Sequence, residues 1–185
     1  MRLAVNDEIG SVGEKIVREW LVQNGYSILP ASLINSMGAP MLIGSQMKII
    51  LPDNLTWRDG KSNWVEVKTK SVATYHQSWP QRWEHGLPLR HWAAYEIIQQ
   101  KTQTEVSLAI LELKTHLLLL STINQLKHGE RIFPMEKEFH IFLNRQDFDW
   151  YQIDLELPEP ILPCATRSLL QDLPPTEKQI ELRLK

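Results

Sequence analysis

The sequence predicts an α/β domain. Three observations lead there: a helical period near the N terminus, strand-like residues on both sides of an Asp-Gly pair at 59–60, and a proline at 88 placed to open a helix ahead of the apolar run from Val106. With 43% hydrophobic and 23% charged residues in 185, the chain has the composition of a globular domain and the length for a sizeable core.

Asn6, followed by Asp7 and Glu8, reads as a helix N-cap with acid in the first turn. Ile9, Val12, Ile16, Trp20 and Leu21 then recur at helical spacing until Gly25 supplies the stop. Residues 26–29 form a short strand closed by Pro30, and 31–45 form a Gly/Pro-punctuated loop with an apolar piece at 41–43. Strands at 47–51 and 54–57 flank Pro52-Asp53, a turn with Asp59-Gly60 at its centre follows, and 63–70 is the returning strand. Residues 71–86 read as a loop rich in Trp, His and Gln.

Pro88 opens a helix reaching about Lys101, because proline is well tolerated in a first turn. Residues 105–113 read as a buried strand, 116–120 as another or its continuation, and Ser121 as the cap of a short helix ending near Gly129. A last core strand covers 139–143, with a turn or short helix at 145–150. Beyond Asp154, five prolines (158, 160, 163, 174, 175) predict an extended arm, whose Ile180, Leu182 and Leu184 alternate with charges in a pattern that suits a sheet edge or a second subunit. The expected organisation is a domain over 1–154 and a Pro-rich arm over 155–185.

Composition excludes several classes. One cysteine, Cys164, rules out an internal disulfide framework and a multi-cysteine zinc site, and fits a reducing, cytoplasmic setting. The charged N terminus lacks the apolar core of a secretion signal, and the longest purely apolar run, residues 117–120, is far short of the roughly 20 residues of a membrane span. A net charge of −2 gives no general affinity for nucleic acid, so such binding requires a local patch.

The chemistry gathers at 51–70. In a strand, Trp64, Glu66, Lys68 and Lys70 share one face, and Glu66 and Lys68 lie about 6.6 to 7 Å apart. That spacing suits a carboxylate on a metal and an ammonium beside a metal-bound water. The Asp-Gly hairpin folds Asp53 towards Glu66. Two carboxylates with a backbone carbonyl, for which Val67 is placed, suffice for Mg²⁺, which keeps several waters. The bland alternative is an amphipathic strand with Glu66 and Lys68 on a solvated face.

Pro52-Asp53, then twelve residues, then Glu66-Val67-Lys68 resembles the PD-(D/E)XK nuclease superfamily. The upstream segment GEKIVREWLVQNGYSIL, residues 13–29, is similar to the first helix and strand of its Holliday-junction-resolvase-like members. The resemblance covers about residues 6–145. It implies a restriction-endonuclease-like fold, a mixed central sheet flanked by helices. It further implies Asp53 and Glu66 as metal ligands, Lys68 as the catalytic lysine and Glu14 as a helix glutamate supporting the metal. Mg²⁺, with Mn²⁺ as substitute, is the expected cofactor and DNA the expected partner. Glu14 has a second reading, an exposed residue paired with Lys15 or Arg18.

Around this strand, residues 58–92 hold six Lys/Arg against three acids, interleaved with aromatics. Lys70, Trp79, Arg82, Trp83 and Arg90 are candidate nucleic-acid contacts, the tryptophans serving otherwise to anchor the loop. His91, Tyr95 and Gln99 share one helix face and are candidates to reach the cleft, although Tyr95 also suits a core position. The histidines at 76, 85 and 91 match no usual zinc spacing. The expected function is a Mg²⁺-dependent endonuclease acting on DNA. Its rivals are a non-catalytic nucleic-acid-binding or assembly module of the same fold and one subunit of a larger recombination or transposition complex. Cutting both strands needs two sites, which makes a homodimer a natural arrangement.

Overall fold

The computed structural model describes residues 2–33, 41–43, 48–77, 81–127, 130–135 and 138–154, without the side chains of 2–7. The Pro-rich arm expected at 155–185 and Trp79 lie outside them.

The chain begins with α1 (Arg2–Gln23), which starts four residues ahead of the cap expected at Asn6 and ends before Gly25 at φ 84°. β1 (Ser27–Pro30) follows, then a single 3-10 turn at Ala31–Leu33. β2 (Met41–Ile43) and β3 (Lys48–Ile50) pair as a small ribbon, so the apolar piece expected within a loop is a strand. β4 (Asn54–Arg58) and β5 (Lys61–Lys70) form the hairpin, with Asp59 and Gly60 at φ 52° and 76°, the left-handed pair of a tight two-residue turn.

The segment read as a loop at 71–86 instead holds β6 (Thr74–His76) and most of β7 (Arg82–Pro88). Its Trp, His and Gln content hid two short strands that pair with each other, the second of which also pairs with a strand far along the chain. α2 (Leu89–Thr102) starts after Pro88, as expected. β8 (Glu105–Glu112) and β9 (Leu117–Thr122) form a second hairpin. The cap of α3 (Ile123–Leu126) is Thr122 and not Ser121, because Thr122 completes a capping box with Gln125. β10 (Arg131–Pro134) and β12 (Asp149–Gln152) were not expected; β11 (Phe139–Asn144) was. The turn expected at 145–150 is a 3-10 turn over Arg145–Asp147 running into β12.

Six strands form a mixed sheet in the order β1-β4-β5-β8-β9-β12, antiparallel throughout except for the central β5–β8 pair. Helices flank it, as the resemblance implies. β8 is buried along its whole length after Glu105, the position in a sheet where a continuous apolar run is required. Trp64, Val106, Leu108 and Ile110 form a core with Trp92, Tyr95 and Ile98 of α2. On the other face α1 packs on β5 so closely that a Cβ at Gly13 would overlap Thr69 Oγ1. A Gly13→Ala variant is therefore expected to lose about 1–3 kcal/mol in chemical denaturation, since β-branched Thr69 has no long side chain to swing aside. Among the described residues no helix is long and apolar enough to cross a membrane.

A second, antiparallel sheet has the order β10-β11-β7-β6 and sends Leu87, Ile141 and Leu143 into the same core. It is tied to the first sheet through Glu112 at the end of β8. This fully buried carboxylate accepts hydrogen bonds from Arg145 Nε and Nη2, both 2.8 Å, and from Thr115, and stands 2.8 Å from His85 Nε2. Ala73 N–H approaches it at 3.3 Å. A second such node lies on the outer face, where buried Glu84 meets Arg82 and Arg131.

Candidate active site

β4 begins at Asn54, opposite Val65, so Asp53 stands just beyond the end of the β4–β5 ladder. Its Oδ2 accepts the Val67 N–H at 2.8 Å. Glu66 projects on the α2 side of the sheet and is 7% exposed, which removes the reading of a solvated strand face. Its Oε1 accepts the Tyr95 hydroxyl at 2.8 Å and is in contact with the Lys68 ammonium. The hairpin and α2 thus gather Asp53, Glu66, Lys68 and Tyr95 at one place.

Two carboxylates in a buried setting are electrostatically uncomfortable. Burial holds the Asp53 carboxyl well above its usual range, the charge of Glu66 adds to this, and the Val67 hydrogen bond and Lys68 only partly oppose it. Burial, and then Glu66, likewise holds the Tyr95 phenol protonated, so it serves Glu66 as a hydrogen-bond donor. Glu14 on α1 is raised by burial, lowered by Arg18, and feels both Glu66 and Lys68. It therefore borders the site, yet its carboxylate is 3.6 Å from Arg18.

Among the described residues, no group of three or more His, Cys, Asp or Glu side chains is gathered so as to hold a metal, so Glu14 does not join the other two as a ready-made triad. The donor chemistry of Asp53 and Glu66 nevertheless fits Mg²⁺: hard carboxylate oxygens, few in number, at a spot where negative charge is under-compensated. Lys68 now supplies the counter-charge to Glu66.

The remaining candidates fall into distinct places. Lys70, half-buried, lies on the same strand face as Glu66 and Lys68. His91 is in the first turn of α2, held below its usual pKa by burial and then by Lys68 and Arg90. Tyr95 is buried and bonded to Glu66, so its hydroxyl is not available for a base or phosphate. Gln99 uses its amide to receive the Val106 N–H at 3.0 Å and to bond Asn124 at 2.9 Å, a clamp between α2, β8 and α3. Arg90 is exposed and paired with Glu138. Arg82 bonds Glu84 at 2.7 Å. Trp83 is 40% exposed and lies against Tyr75, 44% exposed, at 5.2 Å between ring centroids. His76 is near Glu84 and His85 is in the Glu112 node.

The sequence reading missed the specific use of Tyr95 and the Glu112 node. For the latter a signal existed: a lone acid at the end of VSLAILE, where a charge is not tolerated without partners.

No protein-family model and no curated protein matches the chain. Among solved structures it is similar to the Archaeoglobus fulgidus protein Hjc, a Holliday junction resolvase from an archaeal hyperthermophile. The two are 13% identical over 75% of this chain and 91% of that one, with a TM-score of 0.47.

Proposed function

We propose that this protein is a Mg²⁺-dependent nuclease that hydrolyses DNA phosphodiester bonds at Asp53, Glu66 and Lys68. The observation that carries the reading is the convergence of two desolvated carboxylates and one lysine at the centre of the sheet, with Asp53 anchored on Val67 and Glu66 held by Tyr95. Buried carboxylates without full compensation are costly to keep unless a ligand repays them, and a divalent cation is the ligand that does so.

Asp53 and Glu66, with the Val67 carbonyl, are the groups that would hold the ion. A bound Mg²⁺ supplies a water of lowered pKa and neutralises charge on the phosphate. The Tyr95 hydrogen bond fixes the Glu66 carboxylate, so its second oxygen keeps a set direction. The Lys68 ammonium, beside Glu66, is the group that would hold the attacking water or the charge developing on the phosphate.

The test is incubation with supercoiled plasmid and with a four-way junction in Mg²⁺ or Mn²⁺, alongside calorimetric titration of the metals. Cleavage abolished by EDTA is the expected result. Absence of both cleavage and metal binding would overturn the proposal in favour of a non-catalytic module. Metal binding without cleavage would favour a nuclease subunit that acts only with partners.

A further inference from the structure

α2 precedes β8 and connects it in parallel to β5, so α2 runs back against the direction of both strands. The Tyr95–Glu66 hydrogen bond fixes its register on β5. One turn nearer the N terminus of α2 lies His91, and further along β5 beyond Glu66 lie Lys68 and then Lys70. His91 accordingly feels the charges of Lys68, Glu66 and Lys70.

Lys70 is the unusual member. It is half-buried, and no carboxylate pairs with it among the described residues. Its neighbour in register is Glu112, whose two oxygens are engaged by Arg145, His85 and Thr115. Burial and the adjacent Lys68 both disfavour its charge. An ammonium kept in such surroundings without a counter-ion is explained by an anion that comes from outside the chain.

We propose that Lys70 and His91 form a second phosphate subsite beside Asp53, Glu66 and Lys68, and that it holds a phosphate of the strand being cut next to the scissile one. The Lys70 ammonium supplies the charge, and the neutral imidazole of His91 supplies an N–H donor. The subsite fixes where along the strand the bond to be cut comes to rest. Its place next to the bond that is cut rests on the nuclease reading, but its binding chemistry stands apart from cleavage. The phosphate is either an internal phosphodiester or a phosphomonoester at a strand end.

The experiment is fluorescence-anisotropy binding, without metal, of single-stranded and duplex oligonucleotides carrying one uncharged methylphosphonate at each successive position, with and without a 5′-terminal phosphate. Wild-type protein is expected to lose about tenfold in affinity when one such charge is removed, and Lys70→Gln to be insensitive to that same removal. A loss mapped to an internal linkage identifies a phosphodiester, and one mapped to the terminal group identifies an end phosphate. The salt dependence of log K is expected to flatten by about 0.7 to 0.9 in Lys70→Gln.

Melting curves guard against a trivial explanation. Without DNA, Lys70→Gln is expected to melt about 2 °C or more higher than wild type, since an unpaired buried charge is removed. The same methylphosphonate profile in both proteins, or a lower melting point for Lys70→Gln, would overturn the subsite. Cleavage that proceeds with no coupling to Lys70 sinks the subsite alone; coupling to Lys70 in a protein that neither cuts nor binds metal sinks the nuclease reading alone.

Discussion

Lys68→Ala is expected to reduce Mg²⁺-dependent strand cleavage by about 10²- to 10³-fold, the usual consequence of losing one transition-state donor. It also removes the one ammonium that touches the buried Glu66 carboxylate among the described residues, so the metal-free variant is expected to lose about 1–3 kcal/mol of stability. Added Mg²⁺ is expected to recover much of that loss, because the ion takes over the counter-charge at Glu66 and Asp53. Melting curves in EDTA and in Mg²⁺ read this directly. A variant that cuts as fast as wild type would remove Lys68 from the reaction.

Asp53→Asn makes the opposite thermodynamic signature with the same loss of cleavage. The Asp53 carboxyl titrates above its unfolded value because burial and Glu66 disfavour its charge. The folded protein therefore binds more protons than the unfolded chain between those two values, and stability falls as pH rises through that window. Asn keeps a carbonyl oxygen for the Val67 N–H but cannot ionise. Metal-free Asp53→Asn is thus expected to be more stable than wild type at pH 8, and to show no stabilisation by Mg²⁺. A wild-type protein whose metal-free stability rises with pH across this range would contradict the charge balance described at the site.

Glu112→Ala is expected to cost about 3–5 kcal/mol, a large part of the 5–15 kcal/mol that holds an ordinary domain together. The carboxylate serves Arg145 through two bonds, His85, Thr115 and the Ala73 N–H, so its removal leaves a nearly buried guanidinium without a counter-ion. The sheet of β6, β7, β10 and β11 is expected to loosen first, with faster amide exchange at β7 and β11 than at β8.

Acid tests the same node. Burial alone would raise the Glu112 pKa, but the bonds from His85, Arg145 and Thr115 prevail and bring it down to about 2 from an ordinary 4.5. A depressed carboxyl contributes stability that is complete above the unfolded value and disappears as pH falls from about 4.5 to about 2. The shift corresponds to about 3 kcal/mol. In Glu112→Gln that portion of the acid limb is expected to flatten in urea titrations, and an unchanged limb would show that the node carries no linkage.

Much of the architecture was legible because it rests on local signals. The Asp59-Gly60 turn announces its hairpin, Pro88 announces α2, and the apolar run from Val106 announces a central strand. β6, β7, β10 and β12 were missed for a common reason. Each is three to seven residues long, and two of them, β7 and β12, are defined by partners far away in sequence, as Pro88 is by His140 and Asp149 by Leu120, while β6 and β10 pair with the nearer strands β7 and β11. Pattern cannot reveal a strand whose apolar face is only partly buried. At the candidate site, the proximity of Asp53, Glu66 and Lys68 was readable because a hairpin fixes their spacing. Tyr95 and Gln99 share a helix face with His91, yet that face meets Glu66 at one turn and the start of β8 at the next. Spacing alone does not separate those uses.

The bond between Asp53 and Val67 has a consequence for how the site is assembled. β4 ends its pairing before it can offer Val67 a main-chain acceptor, so a side-chain carboxylate becomes the next rung of the ladder. Asp53 is therefore orientated by the same cooperative event that closes the hairpin, and its rotamer is settled before any ligand arrives. One oxygen is committed to the strand and the other takes no part in that bond. In this protein, immobilising a would-be ligand is part of folding, and little of that entropy remains to be lost when the site is filled.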